Sequence, residues 1–242
     1  MKLNLNSINY YFLTCCNDNR IKHIINEFKT YNLIQVNPVM NIGKFRSTAT
    51  GFSKILDMAS VTQDKNKPFQ PFVIFEDDVK KNREFPSTIV IPDNTDILYI
   101  GLSEFGFNSK KQTHDFNVYF KNINKNLVKV YNMLSMHGII ICSLRGMLSF
   151  QKCLVEDFCK NRATDISISQ LQPYLNIYAL KNPLVYQYGK IGGIEDQTKI
   201  DLLDKDDNIM PDNDKNKDSF SIISLYTENN LSGINVYTKN YF

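Results

Sequence analysis

The chain has 242 residues, enough for one sizeable core, and its 43% hydrophobic and 22% charged residues are those of an ordinary globular domain. Twenty-eight basic against 25 acidic residues leave a formal charge of +3, too small to argue for nucleic acid or an anionic membrane as partner. No apolar run approaches a membrane-spanning length, and the start, MKLNLNSINYYFLTCC, is too polar in its first half for a signal peptide.

In chain order, INYYFLTCC (8–16) is β-rich and reads as a first strand. A helix follows, with Ile21, Ile24, Ile25 and Phe28 on one face and Asp18 or Asn19 as N-cap. LIQVNPVM is a second, shorter strand, and RSTATGFSKILDMASV a second helix that opens near Ser47 or Thr48. FVIFE and TDILYIGL (95–102) are apolar strands. Residues 103–126 are polar and rich in Asn and Lys, which reads as loop with room for an edge strand. NLVKVYN alternates as a half-exposed strand does, and HGIIICS is a buried one. SLRGMLSFQKCLVEDFCKN has helical spacing with Ser143 as N-cap. ATDISISQLQPY leads into a short helix, and NIYALKNPLVYQ is a late strand broken near Pro183. The stretch 202–219 is charged and poor in apolar residues, so a mobile loop is expected, with FSIISLY and GINVYTKNYF as terminal strands. Strands alternating with helices predict an α/β sandwich on a mostly parallel central sheet, with ligands at the carboxyl ends of its strands.

Cys15, Cys16, Cys142, Cys153 and Cys159 form no CxxC pair, and His23, His114 and His137 are scattered. This argues against a structural zinc site and for reduced thiols in a cytoplasmic compartment. Heavy use of Asn, Ile and Lys points to an AT-rich coding genome, such as that of a protist or a large DNA virus; the compartment would then be the host cytoplasm in the viral case.

The stretch PFVIFEDDVK ends an apolar strand in three acids. Glu76 and Asp78 project to one side of an extended chain and Asp77 to the other. Such a pair suits Mg²⁺ or Mn²⁺, with positions left for the phosphates of a nucleotide diphosphate. A solvated turn after a strand explains the same residues.

The segment VIFEDDV resembles the LEDDV-like segment of glycosyltransferase family 25, which includes lipopolysaccharide sugar transferases and collagen galactosyltransferases. Over residues 8–200 other segments follow in that family's order. YYFLTCCNDNRIKHIINEF is similar to its opening strand, Arg-containing turn and helix, and KFRSTATGFSKILDMA to the helix before the acidic strand. DILYIGL, HGIIICSLRGMLSFQKCL, ATDISI and YALKNPLVYQ resemble its later strand, strand–helix, Asp and Pro–Gln segments. The resemblance implies a GT-A-like three-layer sandwich over 1–201; residues 202–242 match nothing in the family and are expected to be a polar loop and C-terminal extension packing on the same domain. It also implies Mn²⁺ or Mg²⁺, a UDP-sugar donor, and hexosyl transfer to a hydroxyl of a glycan or of a hydroxylysine-like protein acceptor, with inversion. Two departures stand out: Arg145-Gly146-Met147 replaces a small Gly-Ala pair, and no His follows His137 as a late metal ligand. They motivate the other reading, a catalytically degenerate binding or scaffold protein.

On this reading Asp78 is the metal ligand, Glu76 contacts metal or ribose, and Asp77 positions backbone or a basic residue. Thr14, Asn17 and Arg20 border the uracil. Arg46, Ser47, Ser53 and Lys54 contact ribose or diphosphate, or else cap and solvate their helix. Asp165 is the first candidate for the base that takes the acceptor proton, against an N-cap role, and Glu195 with Asp196 is the second, in a loop that Gly192 and Gly193 let close. Gln187 contacts donor or acceptor.

Overall fold

The computed structural model describes residues 1–64, 66–108, 113–115, 118–188 and 202–208. Its elements in chain order are β1 (Lys2–Asn4), β2 (Asn9–Leu13), α1 (Asp18–Glu27), β3 (Leu33–Val36), α2 (Lys44–Val61), β4 (Phe72–Glu76), β5 (Val79–Lys81), β6 (Thr88–Val90) and β7 (Ile97–Tyr99). They continue with β8 (Gly106–Asn108), β9 (Thr113–Asp115), β10 (Phe120–Asn122), β11 (Leu127–Val130), β12 (Gly138–Ile141), α3 (Leu144–Lys160), α4 (Thr164–Leu171), β13 (Ile177–Leu180) and β14 (Val185–Gln187).

Eight strands form one sheet in the order β10-β11-β13-β7-β12-β4-β2-β3. The expected mostly parallel GT-A three-layer sandwich is not what forms. The sheet is mixed: β11 and β12 run against the other six, so four of the seven neighbouring pairs are antiparallel. The cause lies between β7 and β12. A parallel return needs a crossover of a dozen or more residues, usually a helix. The described residues of that connection hold only short strands, and β12 enters between β7 and β4 antiparallel to both.

The central strands are apolar on both faces because both are covered. Tyr11 and Leu13 of β2, with Phe72 and Ile74 of β4, face a core closed by Phe52, Ile55 and Leu56 of α2, Phe150 and Leu154 of α3 and Ile168 of α4. Their neighbours Tyr10, Phe12, Val73 and Phe75 face a second core with Ile24 of α1, Phe28 and the β1–β6 ladder. Ser143 caps α3 as its sequence predicts, accepting from the Gly146 amide at 3.0 Å. The α1 cap falls one residue earlier than expected, at Asn17, whose Oδ1 accepts from the Asn19 and Arg20 amides at 3.0 and 3.3 Å. The helix α2 starts earlier too, after Gly43 at φ 92°, a left-handed conformation that suits glycine.

At one end of the central strands β4 finishes at Glu76 beside Leu13, and β12 begins with Gly138 opposite Phe75. At the opposite end of the central strands Asp96 fastens α3: its carboxylate accepts from Ser143 Oγ at 2.7 Å, from the Arg145 guanidinium and from the Asn176 amide at 2.9 Å. Arg145, a departure noted in the sequence, therefore has a partner at the strand end remote from Glu76. Residues 202–208 run beside β10, with the Phe120 and Asn208 amides each donating to the other's carbonyl at 2.8 and 3.0 Å. The two terminal strands expected after 219 lie outside the described residues.

Candidate functional site

The acidic sequence after β4 splits its three carboxylates between two environments. Asp77 and Asp78 are buried, at 2% and 4% exposure, and share one guanidinium. Arg20, in the first turn of α1, donates from Nη1 to Asp77 Oδ1 at 2.8 Å and from Nη2 to Asp78 Oδ2 at 2.7 Å. The Cys15 amide donates to the other Asp77 oxygen at 2.6 Å, and Gln187 Nε2 donates to Asp78 Oδ2 at 3.2 Å. Asp78 Oδ1 is buried with no hydrogen-bond partner. Burial pushes the Asp78 carboxyl above the usual carboxylate range, against the pull of Arg20 and Gln187.

Glu76 lines a cavity of about 430 Å³ together with Asp165 and Gln187. Burial first, then the Asp78, Asp165 and Asp77 carboxylates, push Glu76 up to about 8, while Arg20 pulls the other way. Asp165 sits in the first turn of α4, where the helix dipole favours a carboxylate, and its Oδ1 accepts from the Ile166 amide at 2.8 Å. Residues 76, 165 and 187, distant in sequence, thus meet in one cavity, with Asp78 one hydrogen bond behind Gln187.

Whether these groups suit a divalent cation follows from their chemistry. No group of three His, Cys, Asp or Glu side chains among the described residues is arranged to hold a metal ion. Two hard oxygen donors are present in Glu76 and Asp78, with the unpartnered Oδ1 as the available atom. Mg²⁺ commonly takes one or two carboxylates and completes its shell with phosphate and water. The two do not converge on one open position: Glu76 lines the cavity, whereas Asp78 does not and its unpartnered oxygen is buried.

The other residues singled out in the sequence are placed as follows. Thr14 is buried at the end of β2, its Oγ1 accepting from the Cys16 amide at 2.9 Å. Asn17 is the α1 cap. Arg46 donates to the Phe158 carbonyl at 3.1 Å, Ser47 Oγ to the Val39 carbonyl at 2.7 Å and Lys54 Nζ to the Asn37 carbonyl at 3.0 Å. None of these three lines the cavity, nor does Ser53. Glu195 and Asp196, with their glycines, lie outside the described residues.

The α2 residues that do line the cavity are Lys44, Phe45, Thr48 and Phe52. Lys44, Thr48 and Phe52 are four apart, a single helix face, and that spacing was the available signal once the helix start was set. Ser103, Phe105 and the run Leu134–His137, which also line the cavity, carried no such signal in the sequence. His137 is buried and pushed down to about 4 by desolvation, so it is neutral at physiological pH. Its ring lies over Gly101, where a Cβ would come within 2.3 Å of Nε2. Gly101 within DILYIGL was the trace of that contact.

Neither a family model nor a curated protein matches the chain. Among solved structures it is similar to the crystal structure of A197 from STIV, at 13% identity over 75% of this chain and 85% of that one, with a TM-score of 0.39. A TM-score that low gives the likeness no weight for fold or function. No helix among the described residues is long and apolar enough to cross a membrane.

Proposed function

We propose that the chain is a glycosyltransferase that moves a sugar from a nucleotide diphosphate donor, UDP-linked in the reading that the sequence resemblance implies, to a hydroxyl acceptor. The observation that supports it is the meeting of Glu76, Asp165 and Gln187 in one cavity, with Asp78 and Arg20 just behind.

Transfer with inversion needs a base on the acceptor side of the anomeric carbon. Asp165 fills that role: its carboxylate takes the acceptor O–H proton as the oxygen forms the new C–O bond. The bond from the anomeric carbon to the diphosphate breaks, and the diphosphate leaves with the electron pair. Gln187 holds the Asp78 carboxylate in place through its 3.2 Å hydrogen bond. Lys44, at the cavity wall and at the start of α2, offers a cation to an anionic group on the acceptor or donor.

The test is UDP release from a panel of UDP-sugars in Mn²⁺ or Mg²⁺, with sugar and oligosaccharide acceptors. Asp165→Asn is expected to lower turnover by about 10²-fold or more with little change in donor affinity. An active Asp165→Asn enzyme removes Asp165 as the base, and absence of both UDP binding and UDP release across the panel removes the transferase reading. The Arg20 contacts favour one other reading, a protein that binds the nucleotide sugar without turnover, because a guanidinium already offsets the acids. Binding with no release would select it.

A further inference from the structure

Lys44, at the start of α2, lines the cavity and forms no ion pair with a described residue. Nothing in its turn offsets the positive end of the helix: Gly43 is the N-cap, no side chain caps it, and no acid stands in the first turn. The Ser47 amide donates to the Gly43 carbonyl at 2.8 Å, and the three amides before it, of Lys44, Phe45 and Arg46, have no acceptor among the described residues. Helix α4 begins on the same cavity with Ala163, Thr164 and Asp165, again without a side-chain cap. A Cβ on Gly43 would lie 3.8 Å from Asn161 Oδ1, so the start of α2 stands against the turn that leads into α4.

Thr164 is an independent sign of a ligand at this corner. It is 3% exposed, it belongs to the cavity wall, and its Oγ1 has no hydrogen-bond partner among the described residues. A buried hydroxyl left unpaired destabilises the free chain, so an apolar residue would serve the fold better there. A ligand oxygen between the two helix starts would pair it. One lysine and the α2 start balance a single negative charge. A second charge would face Glu76 and Asp165 on the same cavity, and Asp165 already offsets the α4 start through its 2.8 Å bond to the Ile166 amide. A carboxylate therefore fits where a phosphate dianion does not. We propose that the α2–α4 corner of the cavity is a carboxylate subsite and that the acceptor is a sugar acid. Its carboxylate takes Lys44, the α2 amides and the Thr164 hydroxyl, and its ring presents a hydroxyl to Asp165. The subsite stands on these residues alone; its assignment to the acceptor rests on the transferase reading.

The experiment is a calorimetric titration of the full chain with three sugar acids, glucuronate, galacturonate and N-acetylneuraminate, against neutral glucose and galactose and against glucose 6-phosphate. At least one acid should bind about tenfold more tightly than the neutral sugars and the phosphate, the increment of a hydrogen bond to a charged group. Lys44→Gln, shown to be folded by circular dichroism, should lose that preference. Thr164→Val is close to isosteric. It should bind the acid more weakly, while its midpoint in urea equals or exceeds that of the native chain. A lower midpoint with unchanged acid binding removes Thr164 from the subsite. Equal binding of acids and neutral sugars overturns the proposal, as do tighter binding of the phosphate, a preference that survives in Lys44→Gln, and the absence of binding by any of the six. UDP release separates this from the transferase reading. Selective acid binding without release from any donor supports the subsite and removes the transferase. Release with neutral acceptors alone does the reverse.

Discussion

Asp157 is the buried acid whose cost is easiest to isolate. It is fully buried at the α3–α4 contact, where Oδ1 accepts from Arg162 Nε at 3.0 Å and from Ser167 Oγ, while Oδ2 has no partner. Burial outweighs these hydrogen bonds and pushes the carboxyl up to about 6. A folded-state value above the unfolded one favours the protonated acid in the native chain. Its contribution is therefore full below the ordinary carboxylate range and is lost as pH rises through about 6, a loss of roughly 3 kcal/mol. Asp157→Asn keeps an oxygen acceptor and removes the titration. Urea denaturation should find the variant more stable than the native chain at pH 8, by up to that amount, with the difference roughly halved at pH 5 and closing only below about pH 4. A difference independent of pH would show that another group controls the site. None of this was legible in SLRGMLSFQKCLVEDFCKN, because helical spacing assigns Asp157 no partner; Arg162 and Ser167 reach it only after the chain turns at Asn161 (φ 50°) into α4.

Among the elements, α3 and α1 show how local sequence fixes what it can. The Ser143 cap and the extent of α3 follow from residues within a few positions. What the sequence does not display is how near the helix start comes to β7: a Cβ on Gly146 would lie 2.4 Å from the Asp96 carbonyl oxygen. That neighbour is backbone, so Gly146→Ala forces the helix away from the sheet and should cost about 1–3 kcal/mol by chemical denaturation, the usual range for overpacking. A neutral Gly146→Ala would mean that α3 can slide. Asn17→Ala removes the α1 cap and should cost about 1 kcal/mol. It should also loosen the Arg20 fork, which hangs from the same turn, so weaker UDP binding is expected alongside the lower stability. In the acidic stretch the sequence indicated three like charges and left open what offsets them. The partner, Arg20, is 57 residues from Asp77, and only the pairing of β2 with β4 brings the two together.

For the whole molecule, the strands were far easier to find than their directions. Apolar runs such as FVIFE and GIII mark strands covered on both faces, whichever way they run. Direction depends on the connections, and the polar 103–126 stretch gave no sign that it would return β12 antiparallel. The candidate site survives that change because β4 still finishes at the strand end where β12 begins. If the cavity binds a UDP-sugar, ligand at about 100 times its dissociation constant should raise unfolding stability by about 2.7 kcal/mol. Thermal melts should show this shift in the native chain and lose most of it in Asp78→Asn. The pairing of Phe120 with Asn208 has a consequence of another kind. It sets residues 202–208 along the outer side of β10, where an uncovered strand would offer its amides and carbonyls to any neighbouring molecule. That short polar stretch covers part of the strand. A chain lacking it should fold and then form concentration-dependent assemblies by strand addition, visible in light scattering well before any loss of the central sheet.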